Sequence, residues 1–572
     1  MDDTPWMRDI LHFALAATPS TLPPWDPSAL SITAGRGNLT DPNDPGKDPR
    51  FRKLVEAILF GRRFLKTYNI VLLGVLLLFT AWHWGEKLYF RHRTRRIVIQ
   101  SQTGDEDEAW SSSSSTLEGN VTPPGPDKKC SSDDASATTP LLTARLRPRR
   151  SAVWTPYYTA KAVLQYQPPP YPVVNKTLPT NAVSLLVLAW LGIVVFYNLY
   201  RMPLNFMYLF VFADRCGIIF ISNLPLLYLL AAKNQPIKFL TGLDSFRKRW
   251  YEIFLALHIV LQVAGLAFLW FHHHTSRPYV GISLAVFLID RLVYRLWLKS
   301  STHAATLEVL EDDKTVLLSS NWDVVTRSPA LRLLSHNMKH GWSPNEHIFI
   351  SVPDLSRKHA LQSHPFTIFS AAPNTHHMTQ DDQGSHAWFT LLIRAQAESG
   401  FTKQLLTYAR THSQTRIRLD GPYGSSHALD LLSSSSTAIL VAGGSGIAVA
   451  YPLLYSLLQP SSDPETALAK SGRKVKLLWI THSPPHRLWI PENKLKELQD
   501  WGLEVVIPPP TELAGRPDVR SLVGEWVDAE TSGKSGVVVS GPESLVRDAR
   551  NTCAKKMWQG RDVGVAVEKF GW

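Results

Sequence analysis

The sequence predicts a multidomain membrane protein: an α-helical transmembrane bundle, then a small β-barrel, then an α/β domain. Three observations predict it. Apolar runs long enough to cross a bilayer recur near 66–85, 181–200, 206–231, 250–271 and 279–298. From about residue 303 they give way to short alternating runs with turn signals. After about 432, buried-strand runs alternate with helical stretches and glycine-rich turns, the α/β signature.

Taken in order, residues 1–63 are a polar, Pro/Asp-rich region, and 64–300 hold the spans. Within the latter, 91–178 reads as a low-complexity loop, with Ser111 to Ser115 in it, too polar to build a core. The barrel is expected over 303–428, with strands such as Thr306 to Leu310 and His347 to Val352. The α/β domain is expected over 432–572, with strands at Ala438 to Val441, Val475 to Ile480 and Val537 to Ser540.

The net charge of +12 clusters beside the apolar runs. Arg91-His92-Arg93-Thr94-Arg95-Arg96 follows the first and Arg247-Lys248-Arg249 precedes the fourth. Charge so placed orients spans rather than gripping nucleic acid. Basic residues are dense in 91–180, 232–249 and after 298, which predicts those regions on the cytoplasmic side; Arg50, Arg52, Lys53, Arg62 and Arg63 oppose this sidedness. On it, Asn38 is the one glycosylation acceptor facing outward, while Asn120 and Asn175 face inward. Cys130, Cys216 and Cys553 form no CxxC, so neither a disulfide framework nor a zinc site is indicated. Asp2 and Asp3 replace the positive start of a signal peptide, so insertion is expected to use the first span.

Gly443-Gly444-Ser445-Gly446-Ile447 ends a predicted strand and opens a helix. Glycines there let backbone N–H groups approach an anion, and a helix N-terminus favours negative charge. The pattern is not GxGxxG, so it is no standard dinucleotide fingerprint. Gly421-Pro422-Tyr423-Gly424 reads as a cofactor-binding turn between the two C-terminal domains, with its backbone expected to face phosphate. In the fourth span His258 and His272 stand fourteen residues apart, within about 40° of one helix face and roughly 21 Å apart along the axis. They are either isolated polar residues at a helix interface or axial ligands of two haems stacked through the membrane.

Several segments resemble the fungal ferric reductases, relatives of the NADPH oxidases, over about 180–572. They are Arg215-x-Gly217, Asn223-Leu224-Pro225-Leu226, Leu240-Thr241-Gly242, Tyr251-Glu252-Ile253-Phe254-Leu255, the histidine pair, and Asp290-Arg291. In the C-terminal half, His364-Pro365-Phe366-Thr367 resembles the family's flavin-binding strand. Arg394 and Gly400-Phe401-Thr402 match the segment that meets the pyrophosphate. Gly443-Gly444-Ser445-Gly446-Ile447 and Ser540-Gly541-Pro542 are similar to the glycine turns of ferredoxin-reductase-like nicotinamide domains. Pro365 and Phe366 also read as barrel core, and Arg394 as a surface cation. The terminal Phe570-Gly571-Trp572 looks like the family's flavin-covering aromatic, with Glu568 at an acidic position near the hydride-transfer locus; the alternative is a terminal strand with a buried Trp. Asn345 stands where the family has a glycine after Trp342-Ser343-Pro344, and Asn tolerates positive φ better than most residues.

The resemblance implies an FAD-binding β-barrel and an α/β nicotinamide-binding domain using NADPH, with NADH possible. It implies haem b held by His258 and His272 and electron transfer to ferric or cupric chelates at a plasma membrane, in metal uptake. A superoxide-forming oxidase and a haem-deficient membrane flavoprotein are the rival readings. The family carries two histidine pairs on two helices; here Leu240-Thr241-Gly242 runs almost directly into Arg249-Trp250-Tyr251-Glu252, and the first pair is missing. Either the full transcript encodes a further segment between about Leu243 and Arg249, or transmembrane transfer has been lost.

Overall fold

The computed structural model describes residues 49–113, 155–170, 178–202, 208–231, 251–272, 276–325, 337–373, 386–395, 400–461, 467, 470, 472–530 and 533–568. Asn38, Asn120, Asn175, the Leu240-Thr241-Gly242 turn and the terminal Phe570 and Trp572 lie outside the described residues.

The membrane half comprises α1 (Pro49–Ser113), α2 (Thr155–Gln165), α3 (Asn181–Leu199), α4 (Leu209–Ala231), α5 (Tyr251–His272) and α6 (Arg277–Leu288). The last continues in wider π-type turns over Ile289–Leu298. Among the described residues, three helices are long and apolar enough to cross a membrane, within α1, α3 and α4. Several polar side chains inside the bundle pair with one another or with backbone carbonyls, as a site without water favours. Arg62 meets Asp214 at 3.2 Å, Asn223 Nδ2 donates to Tyr68 Oη at 2.9 Å, and Tyr228 Oη donates to Gln262 Oε1 at 2.8 Å. Arg215, only 1% exposed, donates to the carbonyls of Asn198 and Tyr200 at 3.2 and 2.8 Å.

Two expectations need correction here. The helix of the first span extends far beyond the apolar run 66–85 at both ends, with Leu-, Arg- and Lys-bearing helix formers in the N-terminal flank and an Arg-rich segment over 91–96 in the C-terminal one. The stretch 91–178 is also not wholly a structureless loop. It completes α1 and contributes α2, whose Ala162 is 3% exposed within the core of the α/β domain. Polarity alone concealed a helix that is stabilised by docking.

The barrel half comprises β1 (Ser300–Val309), β2 (Thr315–Asp323), β3 (His347–Ser351), α7 (Arg357–Leu361), β4 (His364–Thr367), β5 (His386–Arg394), α8 (Phe401–Ala409) and β6 (Gln414–Tyr423). Its six strands pair antiparallel in the order β4-β3-β6-β1-β2-β5. The Phe369 N–H donates to Thr390 O at 2.9 Å and draws the two outer strands together. β1, β2 and β5 alternate buried and exposed positions, the period-two pattern of strands with one face on a core.

The α/β half follows as α9 (His427–Ser433), β7 (Thr437–Gly443), α10 (Ile447–Leu458), β8 (Lys474–Ile480), α11 (Glu492–Asp500), β9 (Leu503–Val506), α12 (Thr511–Ala514), α13 (Val519–Ala529), β10 (Ser535–Ser540), α14 (Glu543–Trp558) and β11 (Val563–Val567). The sheet is parallel in the order β11-β10-β7-β8-β9. Every residue of β7 and β10 is buried, as expected of strands covered by helices on both faces.

The end of α1 is packed into this domain. Phe90, 6% exposed, joins the cluster of Leu431 and Leu432, and Arg93 meets Asp562 at 3.1 Å. Burying a Phe stabilises by about 1.5–3 kcal/mol, against about 0–1 kcal/mol for a partly exposed ion pair. The ring dominates this contact. On α14, the Asn551 amide accepts from Gln167 N and donates to Gln167 O, both at 2.9 Å, so that one side chain satisfies the backbone just after α2.

Candidate functional site

The sheet order creates the central feature. After β7 the chain runs outward through β8 and β9, then returns to the other side of β7 with β10. The crevice beyond the carboxyl ends of β7 and β10 is therefore a topological switch point, where open α/β sheets bind ligands. Both glycine turns lie at it. β7 ends at Gly443, a tight turn spans Gly444–Gly446, and α10 starts at Ile447. A Cβ on Gly446 would stand 2.3 Å from Ser540 O, and one on Gly443 2.6 Å from Leu545 Cδ2. Gly541, at φ 152°, would place a Cβ 3.0 Å from Gly443 Cα. Only glycines allow the two turns this approach. Gly444 has φ 55° and open space around it. Pro542 precedes the sixteen-residue α14, so two helix N-termini converge here. The Ser540 hydroxyl is buried with no partner among the described residues. An orphan hydroxyl beside converging N-termini fits an anionic dinucleotide. Ile447, fully buried, is core rather than part of that surface.

On the barrel, β4 pairs with β3 so that His364 stands opposite Ile350 and Thr367 opposite His347. His364, Pro365, Phe366 and Thr367 are all half-buried, and Phe366 packs partly on the barrel core. The His364 ring stacks on Phe401 at 4.1 Å and 15°. Phe401 opens α8, whose preceding Gly400 has φ 105°, a conformation that favours glycine, and Thr402 lies in the first turn. The structure thus gathers β4 and the Gly400–Thr402 turn into one cluster. A half-exposed strand beside a helix N-terminus with unsatisfied N–H groups fits the pyrophosphate of FAD. His359, which sequence reasoning missed, completes the cluster: it is 2% exposed, with Nε2 2.8 Å from Gln404 Oε1 of α8.

Gly421, Pro422 and Tyr423 are not a free turn as expected, but the end of the ten-residue β6, with a cis Gly421–Pro422 bond. Tyr423 is 5% exposed and capped by Lys299, whose Nζ is 5.1 Å from the ring and donates to Pro422 O at 3.0 Å. Its side chain is internal. A Cβ on Gly424 would stand 2.9 Å from Glu346 Cγ and 3.0 Å from its Cα, so glycine lets the end of β6 approach the Asn345 turn this closely. That turn forms as the sequence predicts, with Asn345 at φ 68°.

Asn345 leads on to Glu568. Just beyond β11, the Glu568 N–H donates to Val539 O at 3.0 Å and its carboxyl is hydrogen-bonded to the Asn345 side chain. Burial raises the carboxyl to about 7, with the Asn345 bond opposing the shift. Ile368 N–H donates to Glu346 O at 3.0 Å. A continuous path therefore runs from β4 through residues 345–346 and Glu568 to the glycine crevice.

Arg394 is oriented elsewhere. Its guanidinium lies 5.9 Å from the Trp489 ring of the α/β domain, beside a buried His486–Asp312 contact of 3.6 Å between the same two domains. Burial and Arg394 push the His486 imidazole down to about 4, so it is neutral at physiological pH. His258 and His272 both fall on α5, as expected, but their side chains lie outside the described residues.

Fold and site together define a ferredoxin-reductase-like pair of domains, an antiparallel six-stranded barrel and a parallel α/β sheet, joined to a helical membrane bundle. The comparisons agree. A sequence family described as an FAD-binding domain matches residues 329–427. Ferric/cupric reductase transmembrane component 7 of Saccharomyces cerevisiae is 29% identical over 219 residues, 38% of this chain and 31% of that protein. Ferric reduction oxidase 4 of Arabidopsis thaliana is 26% identical over 232 residues, 40% of this chain and 28% of its own length. Ferric reductase transmembrane component 1 of Schizosaccharomyces pombe is 24% identical over 291 residues, 43% and 46%. The chain spans less than half the length of each of these relatives. The chain is thus similar to ferric reductases over 38–43% of its own length.

Proposed function

We propose that the protein is a membrane-bound NAD(P)H-dependent ferric- and cupric-chelate reductase serving metal uptake. Its C-terminal half lies in the cytoplasm, and the membrane is the plasma membrane. The observation that carries this reading is the path from β4 through Asn345 and Glu568 to the crevice between β7 and β10. It sets a flavin cradle and a nicotinamide cradle side by side. The basic end of α1, seated against the α/β domain at Arg93 and Asp562, supports the sidedness.

FAD, when bound, accepts a hydride from reduced nicotinamide and releases electrons singly. The chain's residues hold and orient the partners. The α8 N-terminus at Gly400 and Thr402, with His364 and Thr367 beside it, would hold the pyrophosphate of FAD, and Arg394 secures the neighbouring domain contact. Gly443, Gly444, Gly446 and Gly541 admit the nicotinamide dinucleotide's phosphates to two helix N-termini. Glu568, titrating about 7, holds or releases a proton next to the site. Phe570 and Trp572, outside the described residues, match the family's C-terminal aromatic and would have the role of shielding bound flavin until nicotinamide arrives.

The residues present do not complete a haem site. His258 and His272 form one pair, and bis-histidine ligation of two haems needs two, so no step is routed through haem. This observation favours a second reading, a haem-deficient flavoprotein that delivers electrons only on the nicotinamide side. Membranes holding the full chain test both readings. NAD(P)H should reduce an artificial dye in an FAD-dependent manner, and a chain that purifies folded yet refuses added FAD refutes the site. A reduced-minus-oxidised haem spectrum, with reduction of an impermeant ferric chelate, separates the two readings.

A further inference from the structure

A cavity of about 870 Å³ lies between α2, α13 and α14 of the α/β domain, with no residue of the glycine turns in its lining. Its wall includes Asn181, the first residue of α3, a nineteen-residue helix apolar enough to cross the membrane. Asn181 is fastened there: its N–H donates to Tyr166 O at 3.0 Å and its amide to Val163 O at 2.9 Å. The cavity therefore opens where a span leaves the bilayer.

Its charge is unbalanced. Arg520, Arg547, Lys555 and Lys556 face two carboxylates, Glu525 and Asp528. Lys556 and Arg561 share Asp528, and Arg520 pairs with Asp548 at 2.8 Å. Arg547 and Lys555, both on α14, have no acidic partner among the described residues. Two amphipathic aromatics flank them: Tyr166, 42% exposed, and Trp558, 61% exposed at the last turn of α14. Trp and Tyr concentrate at the depth of lipid headgroups, and basic pockets at the cytoplasmic ends of spans take anionic headgroups.

We propose that this cavity binds the headgroup of an anionic phospholipid of the adjoining leaflet, with Arg547 and Lys555 on the phosphate and Trp558 at the acyl-chain boundary. The shared chemistry is a phosphate diester. Placement at the first turn of α3 makes lipid, rather than a soluble phosphate, the source.

The test is native mass spectrometry of the full-length protein released from phosphatidylcholine nanodiscs doped with phosphatidylserine. Wild type should retain phosphatidylserine in preference to phosphatidylcholine. The pair Arg547→Ala with Lys555→Ala should weaken retention roughly 25-fold, about fivefold for each cation near a membrane surface. Arg547→Lys with Lys555→Arg should keep it, which distinguishes lost charge from misfolding, and Lys496→Ala, an exposed cation elsewhere on the domain, should change nothing. Undiminished retention in the double alanine variant overturns the site. If inorganic phosphate or glycerophosphoserine displaces the lipid at equal concentration, the lipid source is overturned.

Discussion

The side chain of Asn345, on a backbone at φ 68°, is hydrogen-bonded to the carboxyl of Glu568. One residue belongs to a barrel turn and the other follows the last strand of the α/β sheet, so a single bond joins the two cradles. Asn suits the turn because it tolerates positive φ and still carries a polar group that reaches Glu568. Glycine would supply the turn without the bond.

Glu568 should impose a pH dependence. Burial raises its carboxyl from the ordinary 4.5 to about 7. Between those values the folded chain holds a proton that the unfolded chain has lost, so stability falls as pH rises through the window. Glu568→Gln should match wild type in thermal unfolding at pH 4 and be the more stable at pH 8. Dye reduction by wild type should show a step about pH 7 that the Gln variant lacks. A step retained in Glu568→Gln assigns it to another group.

Gly446→Ala should damage the nicotinamide crevice selectively. The added methyl would stand 2.3 Å from a backbone oxygen and 2.8 Å from its carbon, and backbone on both sides cannot yield like a flexible side chain. Overpacking of this kind costs about 1–3 kcal/mol. The expected result is a KM for NAD(P)H raised at least tenfold with FAD content unchanged. Equal loss of FAD would show instead that the whole reductase half had failed to fold.

The junction of α1 with the α/β domain should tighten with pH. Lys534, 3% exposed, lies under Phe90 and Tyr89 with ring centroids at 4.7 and 5.6 Å. Around it are Glu86 and Arg93 of α1, Lys161 of α2, and Asp562 before β11. Ring contacts favour the cation, but burial outweighs them and pushes the ammonium from 10.5 down to about 7. Between pH 7 and 10.5 the undocked lysine keeps a proton that the docked one has shed, so docking gains as pH rises. Hydrogen exchange of β10 and β11 in the full-length protein should slow, beyond the intrinsic rate change, from pH 6.5 to 9. Lys534→Met should remove that dependence, and exchange that tracks pH equally in both proteins refutes it.

Much of this architecture was legible because its signals are local. The apolar runs, the uniformly buried β7 and the positive φ at Asn345 each follow from a few neighbouring residues. What escaped depends on distant partners. α2 is a helix because Ala162 and Gln167 find the α/β domain, hundreds of residues away in sequence. Tyr423 looked available in a Gly-Pro-Tyr-Gly turn, yet Lys299, 124 residues earlier, covers it. His359 gave no motif at all, since its role depends on Gln404 and Phe401. The switch point between β7 and β10 is a property of strand order, which no single segment encodes.

The membrane half yields the sharpest prediction. A chain with one histidine pair should reduce dyes on the nicotinamide side but leave impermeant ferric chelates outside untouched. Roughly 30 Å of hydrocarbon separates the two faces, and His258 and His272 alone would supply one ligand to each of two haems, too few to hold them. Sequencing of cDNA across codons 240–252 should reveal a further segment with two histidines about fourteen residues apart, one helix face at matching heights. Restoring it should bring back both the haem spectrum and external reduction, and His258→Ala in the restored protein should abolish both. An uninterrupted cDNA together with vigorous external ferric reduction by the 572-residue chain would show that electrons cross by a route that does not need the missing pair.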